Sequence, residues 1–295
     1  MSRPNNDFGM ASPVISLDIS QRAAIRPIAL DRPASPTVRA ARDLTEGLLR
    51  WWLWGLVAWC DIKQRYRGSV LGPFWLTLST AVMIGSLGAL YSRLFHTDIT
   101  TYLPYLSLGI LTWGLISALL TECCTAFISA DHVIKQIRMP LSVHLYRVIA
   151  RNVIVFGHNL IVFVVVGFWF QVKFGWADLM VLPGMALLML GMIPAGLVLA
   201  AVCARFRDIP PVVASLLQVI FFMTPIMWRP ELLGSKIDLA LYNPFNCFID
   251  VIRAPLLGEW VPATSWSVAL GMTALAWLVA FPFFARFRAR IAYWV

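Results

Sequence analysis

Apolar residues in this chain do not alternate, and they do not recur on a single helical stripe. They fall in long, nearly uncharged blocks separated by short polar breaks rich in Pro and Gly. Six blocks reach the length of a membrane span: roughly Val70–Phe95, Leu103–Ser129, Ile149–Phe170, Leu179–Cys203, Pro210–Trp228 and Thr264–Phe284. About 20 residues of α-helix cross the ~30 Å hydrocarbon layer. A lone strand there would leave backbone N–H and C=O groups unpaired in lipid, so the blocks predict helices. The expected fold is an all-α membrane protein with six transmembrane helices.

Two further apolar stretches do not fit as spans. In the first, Arg42 to Ile62, the uncharged run Trp51–Cys60 is only about 15 Å long as helix. Leu44, Leu48, Trp52 and Trp59 recur near helical spacing, and four tryptophans crowd into residues 51–59. That pattern predicts an amphipathic interface helix lying in the headgroup layer; the alternative is a half-buried packing helix. The second stretch, 229–262, is broken by Pro230, Gly234, Asn243, Pro244, Pro255 and Gly258 into pieces too short to span. Short re-entrant helices before the last span, or a lid over the helix ends, are both consistent with it. Irregular backbone at membrane depth requires packing against protein or a wet cavity.

Composition narrows the class. The chain is 59% hydrophobic and 13% charged, with mean hydropathy +0.74; soluble domains average about 45–50% and about 25%. An ordinary soluble enzyme and a disordered regulator are excluded. The net charge of +9 reads as membrane topology rather than nucleic-acid binding. Six spans place both termini on one side, and 19 of the 24 Lys and Arg residues fall there. The other five are Arg93, Lys173, Arg229, Lys236 and Arg253. The positive-inside rule therefore predicts a multi-pass protein with both termini cytosolic. Residues 1–40 carry five prolines and scattered arginines without a signal-peptide pattern, and predict a flexible cytosolic tail.

Catalytic motifs are missing. None of the four lysines follows a glycine, so no Walker A loop is present. There is no HExxH, G-x-S-x-G or D-x-D, and the five cysteines have neither zinc-ligand nor disulfide spacing. No cofactor or metal site is expected in this chain. Within the spans the ionisable candidates are Glu122 and His158. Glu122 reads as a snorkelling or helix-paired acid near a helix end. His158, beside Asn159, reads as a helix-packing hydrogen bond.

Residues 61–75, Asp61-Ile-Lys-Gln-Arg-Tyr-Arg-Gly-Ser-Val-Leu-Gly-Pro-Phe-Trp75, closely resemble the D-[IL]-K-x-R-Y-[RK]-x-S-x-L-G-P-x-W signature of permease subunits of polysaccharide ABC exporters, the O-antigen, capsule and teichoic acid group. Further matching pieces follow in order: Lys135-Gln-Ile-Arg-Met-Pro140, Arg205-Phe-Arg-Asp208, Asn243-Pro244, Arg253-Ala-Pro-Leu-Leu-Gly258, and the ending Arg286-Phe-Arg-Ala-Arg-Ile-Ala-Tyr-Trp294. The resemblance covers about residues 42–295.

The resemblance implies a subunit of the bacterial inner membrane without its own nucleotide site. It would act as a homodimer with two copies of a separate ABC ATPase, which binds ATP and Mg, and it would export a lipid-linked polysaccharide. An exporter of the same architecture for drugs or small lipids, and a membrane glycosyl- or acyltransferase, are the alternatives. Within segment 130–148, the resemblance makes Ile134, Lys135, Gln136, Ile137, Arg138, Met139 and Pro140 the ATPase-coupling element. Lys63, Arg65, Tyr66 and Arg67, in the 41–68 segment, would form a basic cytosolic entrance, and lipid headgroups would attract the same cations at about 1 kcal/mol each. A channel lined by the first and fifth spans makes Trp75, Tyr91, Phe95, Phe221, Phe222 and Trp228 the aromatic candidates for stacking on sugar rings, within a six-span domain over 69–295. Lipid and helix packing are the competing uses of those rings. Asp208 before Pro210-Pro211 reads as an N-cap with Pro at the helix start.

Overall fold

A computed structural model describes residues 35–67, 72, 74–173, 175–231 and 238–295. Most of the expected tail, part of the 61–75 signature and residues 232–237 of the expected re-entrant stretch lie outside it. All regular structure among the described residues is helical. The helices are α1 (Pro36–Leu49), α2 (Trp51–Arg65), α3 (Phe74–Leu94), α4 (Ile99–Cys124), α5 (Asp131–Gln136), α6 (Ser142–Trp169), α7 (Val181–Arg205), α8 (Ile209–Met223), α9 (Asp238–Leu241), α10 (Pro244–Leu256) and α11 (Ala263–Trp294).

Among the described residues, five helices are long and apolar enough to span: α3, α4, α6, α11, and α7 taken with the 3₁₀ turn Trp176–Met180 before it. The block expected as the fifth span, Pro210–Trp228, is divided. Its helix α8 has 15 residues, about 22 Å, and stops at Met223. The block's remaining residues, 224–228, and the three that follow run on without α-helix. The cause lies in the chain: Pro225 has no N–H to continue the ladder, and the residue before a proline is pushed out of the helical region. Thr224 accordingly has ψ 137°.

Helix α4 forms the centre, packed against α3, α6, α7, α8 and α10. Lipid is as apolar as leucine, so close packing rather than exclusion of water holds such helices together, and small residues let backbones approach. Gly184 of α7 lies against the Val251 backbone of α10, and Gly109 of α4 against that of Ile226. A Cβ on Gly184 would collide with the Val251 carbonyl.

The expected interface helix over Arg42–Ile62 is two helices, interrupted at Arg50. In α1 the buried positions Ala40, Asp43, Leu44 and Gly47 follow the i, i+3, i+4, i+7 stripe of an amphipathic helix. In α2 only Ala58 and Ile62 are buried, against α6, while Trp51, Trp52, Leu56 and Trp59 stay exposed. Helix α6 begins at Ser142, within the 130–148 segment. Helix α11 runs ten residues past the expected end at Phe284, carrying Arg286, Arg288 and Arg290 on regular helix.

Candidate functional site

At the end of the bundle that carries α1, α2 and α5, a chain of ion pairs crosses three helices. Asp61 and Arg65 of α2 lie four residues apart and share a face. Arg147 and Arg151 of α6 do the same. Asp61 accepts from Arg151 at 2.9 Å and lies 3.3 Å from Arg147. Glu122, in the last turn of α4, pairs with Arg151 at 2.6 Å and with Arg65 at 2.9 Å, and accepts from the Asn152 amide. The Glu122 carboxylate also raises the Arg65 guanidinium above its ordinary pKa. Paired ions half-withdrawn from water are expensive to separate, because the survivor keeps its desolvation cost without a partner. Glu122 is thus a helix-paired acid that joins α2, α4 and α6. Of the remaining entrance residues, Lys63 and Arg67 are exposed and Tyr66 half-buried; the Lys63 ammonium sits 5.9 Å from the Trp59 ring. Of the four expected entrance residues, Arg65 is thus tied into the ion-pair chain, whereas Lys63 and Arg67 keep exposed side chains.

The segment expected to couple to an ATPase is a short helix, α5, followed by an extended stretch to Pro140. Lys135, Gln136, Ile137 and Arg138 are exposed, Ile134 and Met139 half-buried and Pro140 buried. Ile137 presents 54% of its surface, a large apolar side chain beside two cations and left uncovered by the described residues. Where the stretch turns into α6, the helix's own N-cap residue, Leu141, has no side chain able to cap. Asp43 of α1 supplies the cap from outside. Its carboxylate accepts from the backbone N–H of Leu141 (3.1 Å) and of Ser142 (2.9 Å), and from Arg288 of α11 (2.6 Å). The Ser142 hydroxyl donates back to the Asp43 carbonyl. One buried carboxylate therefore fixes the C-terminal side of the 130–148 segment to both α1 and α11. A groove of about 530 Å³ opens beside it, edged by Arg39, Arg42, Arg50, Arg138 and Arg288. Sequence reasoning missed Asp43, although an acid in the buried stripe of an amphipathic helix was a signal for it.

The six aromatic candidates separate into two groups. Trp75 (61% exposed) and Phe222 (65%) project from the bundle. The other four pack within the chain. Tyr91 stacks on Phe95, Phe95 meets Tyr102 edge-on, Phe221 lies against Trp113, and the Trp228 indole N–H donates to the Phe222 carbonyl at 3.4 Å. Among the described residues, the buried Nε2 of His158 has no hydrogen-bond partner, so the expected bond is not made there. Its ring meets Phe74 edge-on, and the neighbouring Asn159 accepts from Thr77 instead. Asp208 holds the N-cap position of α8 without a side-chain cap bond, and Arg205 stacks on Phe206 and Trp294.

At the far end, the irregular stretch after α8 poses a backbone problem that neighbouring helices solve. Carbonyls outside a helix need donors, since lipid offers none. Tyr105 of α4 donates to the Pro225 and Trp228 carbonyls at 3.1 and 3.3 Å, and Tyr102 to that of Met227. Asn243 donates to the Met223 carbonyl and the Thr224 hydroxyl. Arg253 of α10 donates to the Pro225 carbonyl at 2.9 Å while paired to Asp250 at 2.6 Å, and its guanidinium lies 4.0 Å from the Tyr105 ring centroid. At 3% exposure this cation is tolerable only because every side of it is engaged.

Comparison with known proteins agrees with this architecture. The profile of the ABC-2 type transporter family matches residues 53–257, from α2 through α10. The O-antigen export system permease protein RfbA of Myxococcus xanthus is 26% identical over 195 residues, covering 66% of this chain and 75% of that protein. A protein of the same name from Klebsiella pneumoniae is 23% identical over 198 residues, covering 64% and 74%. Five apolar helices of spanning length among the described residues and a family profile over most of the chain lead to one conclusion: this protein is a member of the ABC-2 type transporter family, a multi-pass transport subunit that partners an ABC ATPase rather than an enzyme.

Proposed function

We propose that two copies of this chain form a channel in the bacterial inner membrane, and that two copies of the ATPase partner, binding ATP and Mg, drive a lipid-linked, O-antigen-like polysaccharide outward through it. In this reading both termini, α1, α5 and the basic groove face the cytosol.

The observation that carries the proposal is the uncovered face of α3 and α8. Only Thr77, Ile84, Gly88 and Ser92 of α3 and Leu217 of α8 are buried. Two helices that both pack on α4 and have so little else covered by their own chain suit a seam between copies, and Trp75 and Phe222 supply exposed rings on them. The names of the similar export permeases support the substrate class. Force would enter through Ile137, Lys135 and Arg138, and Asp43 would pass it to α1, α6 and α11.

The test is export of surface polysaccharide in cells lacking the gene and complemented with variants. Ile137→Asp, or charge reversal at both Lys135 and Arg138, should abolish export while the chain remains at wild-type abundance in the membrane. ATPase activity should persist without being tied to transport. Unchanged surface polysaccharide after gene deletion would refute the substrate class, and full export by the coupling variants would refute the coupling role.

A further inference from the structure

We propose that each copy carries a saccharide subsite at the far end of the bundle, separate from the channel-lining rings, which holds one or two sugar units of the exported glycan as they emerge. This rests on the export reading above and adds to it a place where the glycan is gripped.

The site is a cavity of about 620 Å³ between the start of α4, the loop after α6, the stretch after α8 and the end of α10. That volume lies within the roughly 300–1,000 Å³ range of small-ligand sites. Its floor is the locked cluster of Tyr105, Asp250 and Arg253 already described. Its rim differs: Lys173, Glu231 and Glu259 make no side-chain hydrogen bond or ion pair among the described residues. Arg229 lies over the Tyr105 ring, with its Nε buried and unpartnered. Trp260 stands 70% exposed at the edge. Arg229 also donates from one terminal nitrogen to the Thr101 carbonyl at 3.4 Å, which leaves Nε as its buried spare donor. A fixed floor under a rim that keeps an ammonium, two carboxylates and this Nε without partners among the described residues is an arrangement suited to a ligand.

The charges indicate what kind. The cavity is lined by three cations, Lys173, Arg229 and Arg253, and three carboxylates, Glu231, Asp250 and Glu259. Balanced charge gives no net attraction for a phosphate or a phospholipid headgroup, which an excess of cations would favour. It offers donors and acceptors side by side, which vicinal hydroxyls of a neutral sugar use together. Trp260 adds the flat apolar face on which the C–H side of a pyranose stacks.

Local backbone places these groups. Gly258, two residues past the end of α10, has φ +77°, and the Gly258 and Glu259 N–H groups close back onto the Pro255 and Ala254 carbonyls. A Cβ at Gly258 would lie 2.9 Å from the Lys173 carbonyl. Only glycine combines that dihedral with that approach, and the approach brings Glu259 and Trp260 beside Lys173.

The test introduces the photocrosslinking residue p-benzoylphenylalanine in place of Trp260 in cells expressing the full chain with its ATPase. On irradiation, the chain should shift to a glycan-positive ladder that disappears when the ATPase is inactivated. Trp260→Ala should lower export roughly two- to ten-fold, the loss of one aromatic face. Trp260→Phe should restore it at equal membrane abundance. Crosslinks to phospholipid alone, or full export by Trp260→Ala, would overturn the subsite. Crosslinking the same residue at Phe222 separates the two readings: glycan captured at 222 and not at 260 removes the subsite and leaves the export function standing, whereas glycan at neither position, with export independent of the gene, removes the function itself.

Discussion

Helices α3 and α4 have similar composition and opposite surroundings. Their most apolar windows have mean hydropathy 1.5 and 1.7, yet 78% of the α4 window is buried within the chain against 17% of the α3 window. Hydropathy reports that a segment belongs in the bilayer; it does not report whether lipid, a neighbouring helix or a second copy will cover it. α4 carries the residues that hold others in place: Tyr102 and Tyr105 at one end and Glu122 at the other. α3 carries exposed side chains such as Trp75, Leu78 and Leu90. The first helix is a frame and the second is a surface still to be covered.

The comparison can be attacked first at the frame. Arg253→Met should cost about 3–5 kcal/mol of folding stability, because the half-buried Asp250 loses its cation and the Pro225 carbonyl loses a donor. Unfolding titrations of the purified chain in detergent would measure it, and adding Asp250→Leu should recover part of the loss. Truncation on the two helices gives the direct contrast. Leu106→Ala on α4, fully buried, should cost roughly 2–5 kcal/mol. Leu90→Ala on α3, 61% exposed, should cost less than about 1 kcal/mol in the isolated chain. Equal costs would mean that the two helices are not differently placed.

Asp43→Ala should cost about 1–3 kcal/mol, since the Leu141 and Ser142 N–H groups and Arg288 lose one acceptor. Hydrogen exchange should rise first at the start of α6. Cysteine at Leu90 should crosslink between copies in native membranes if α3 is a seam, whereas cysteine at Leu106 should not. The smallest effect concerns the cap of α4. Asp98 accepts from the Thr100 N–H, which holds its carboxyl below the ordinary aspartate value. Its stabilisation is therefore present at neutral pH and is lost as pH falls through the carboxylate range. Asp98→Asn keeps a capping oxygen and should remove that small acid-side slope from the unfolding midpoint between pH 6 and 3.

Particular residues show how far the sequence could be read. The four-residue spacing of Asp61 and Arg65 already put both on one face of a helix. Nothing local could say that Glu122, 57 positions beyond Arg65, would meet them, since that pairing exists only once α2 lies along α6 beside α4. Asp208 takes the N-cap position ahead of the helix-starting prolines, as its local sequence indicates, but without a side-chain bond; at His158 local chemistry permitted a hydrogen bond that packing leaves unmade at Nε2 among the described residues. The fifth block was read by hydropathy as one span, but Pro225 divides it, and the cost of that division is met by Tyr102, Tyr105 and Arg253 from elsewhere in the chain.

The chain by itself determined that it is helical, that it belongs in a membrane, where the long apolar blocks lie, and which short motifs carry its family resemblance. These follow from backbone satisfaction in lipid and from residue spacing, both local properties. Tertiary structure alone decided which helix is central, which acids and arginines pair, which aromatic rings remain outside, and that Asp43 caps a helix 98 residues away. Each of these depends on groups distant in sequence reaching hydrogen-bond or van der Waals distance, and in a bilayer, where every apolar surface is equally at home, only packing selects among the arrangements.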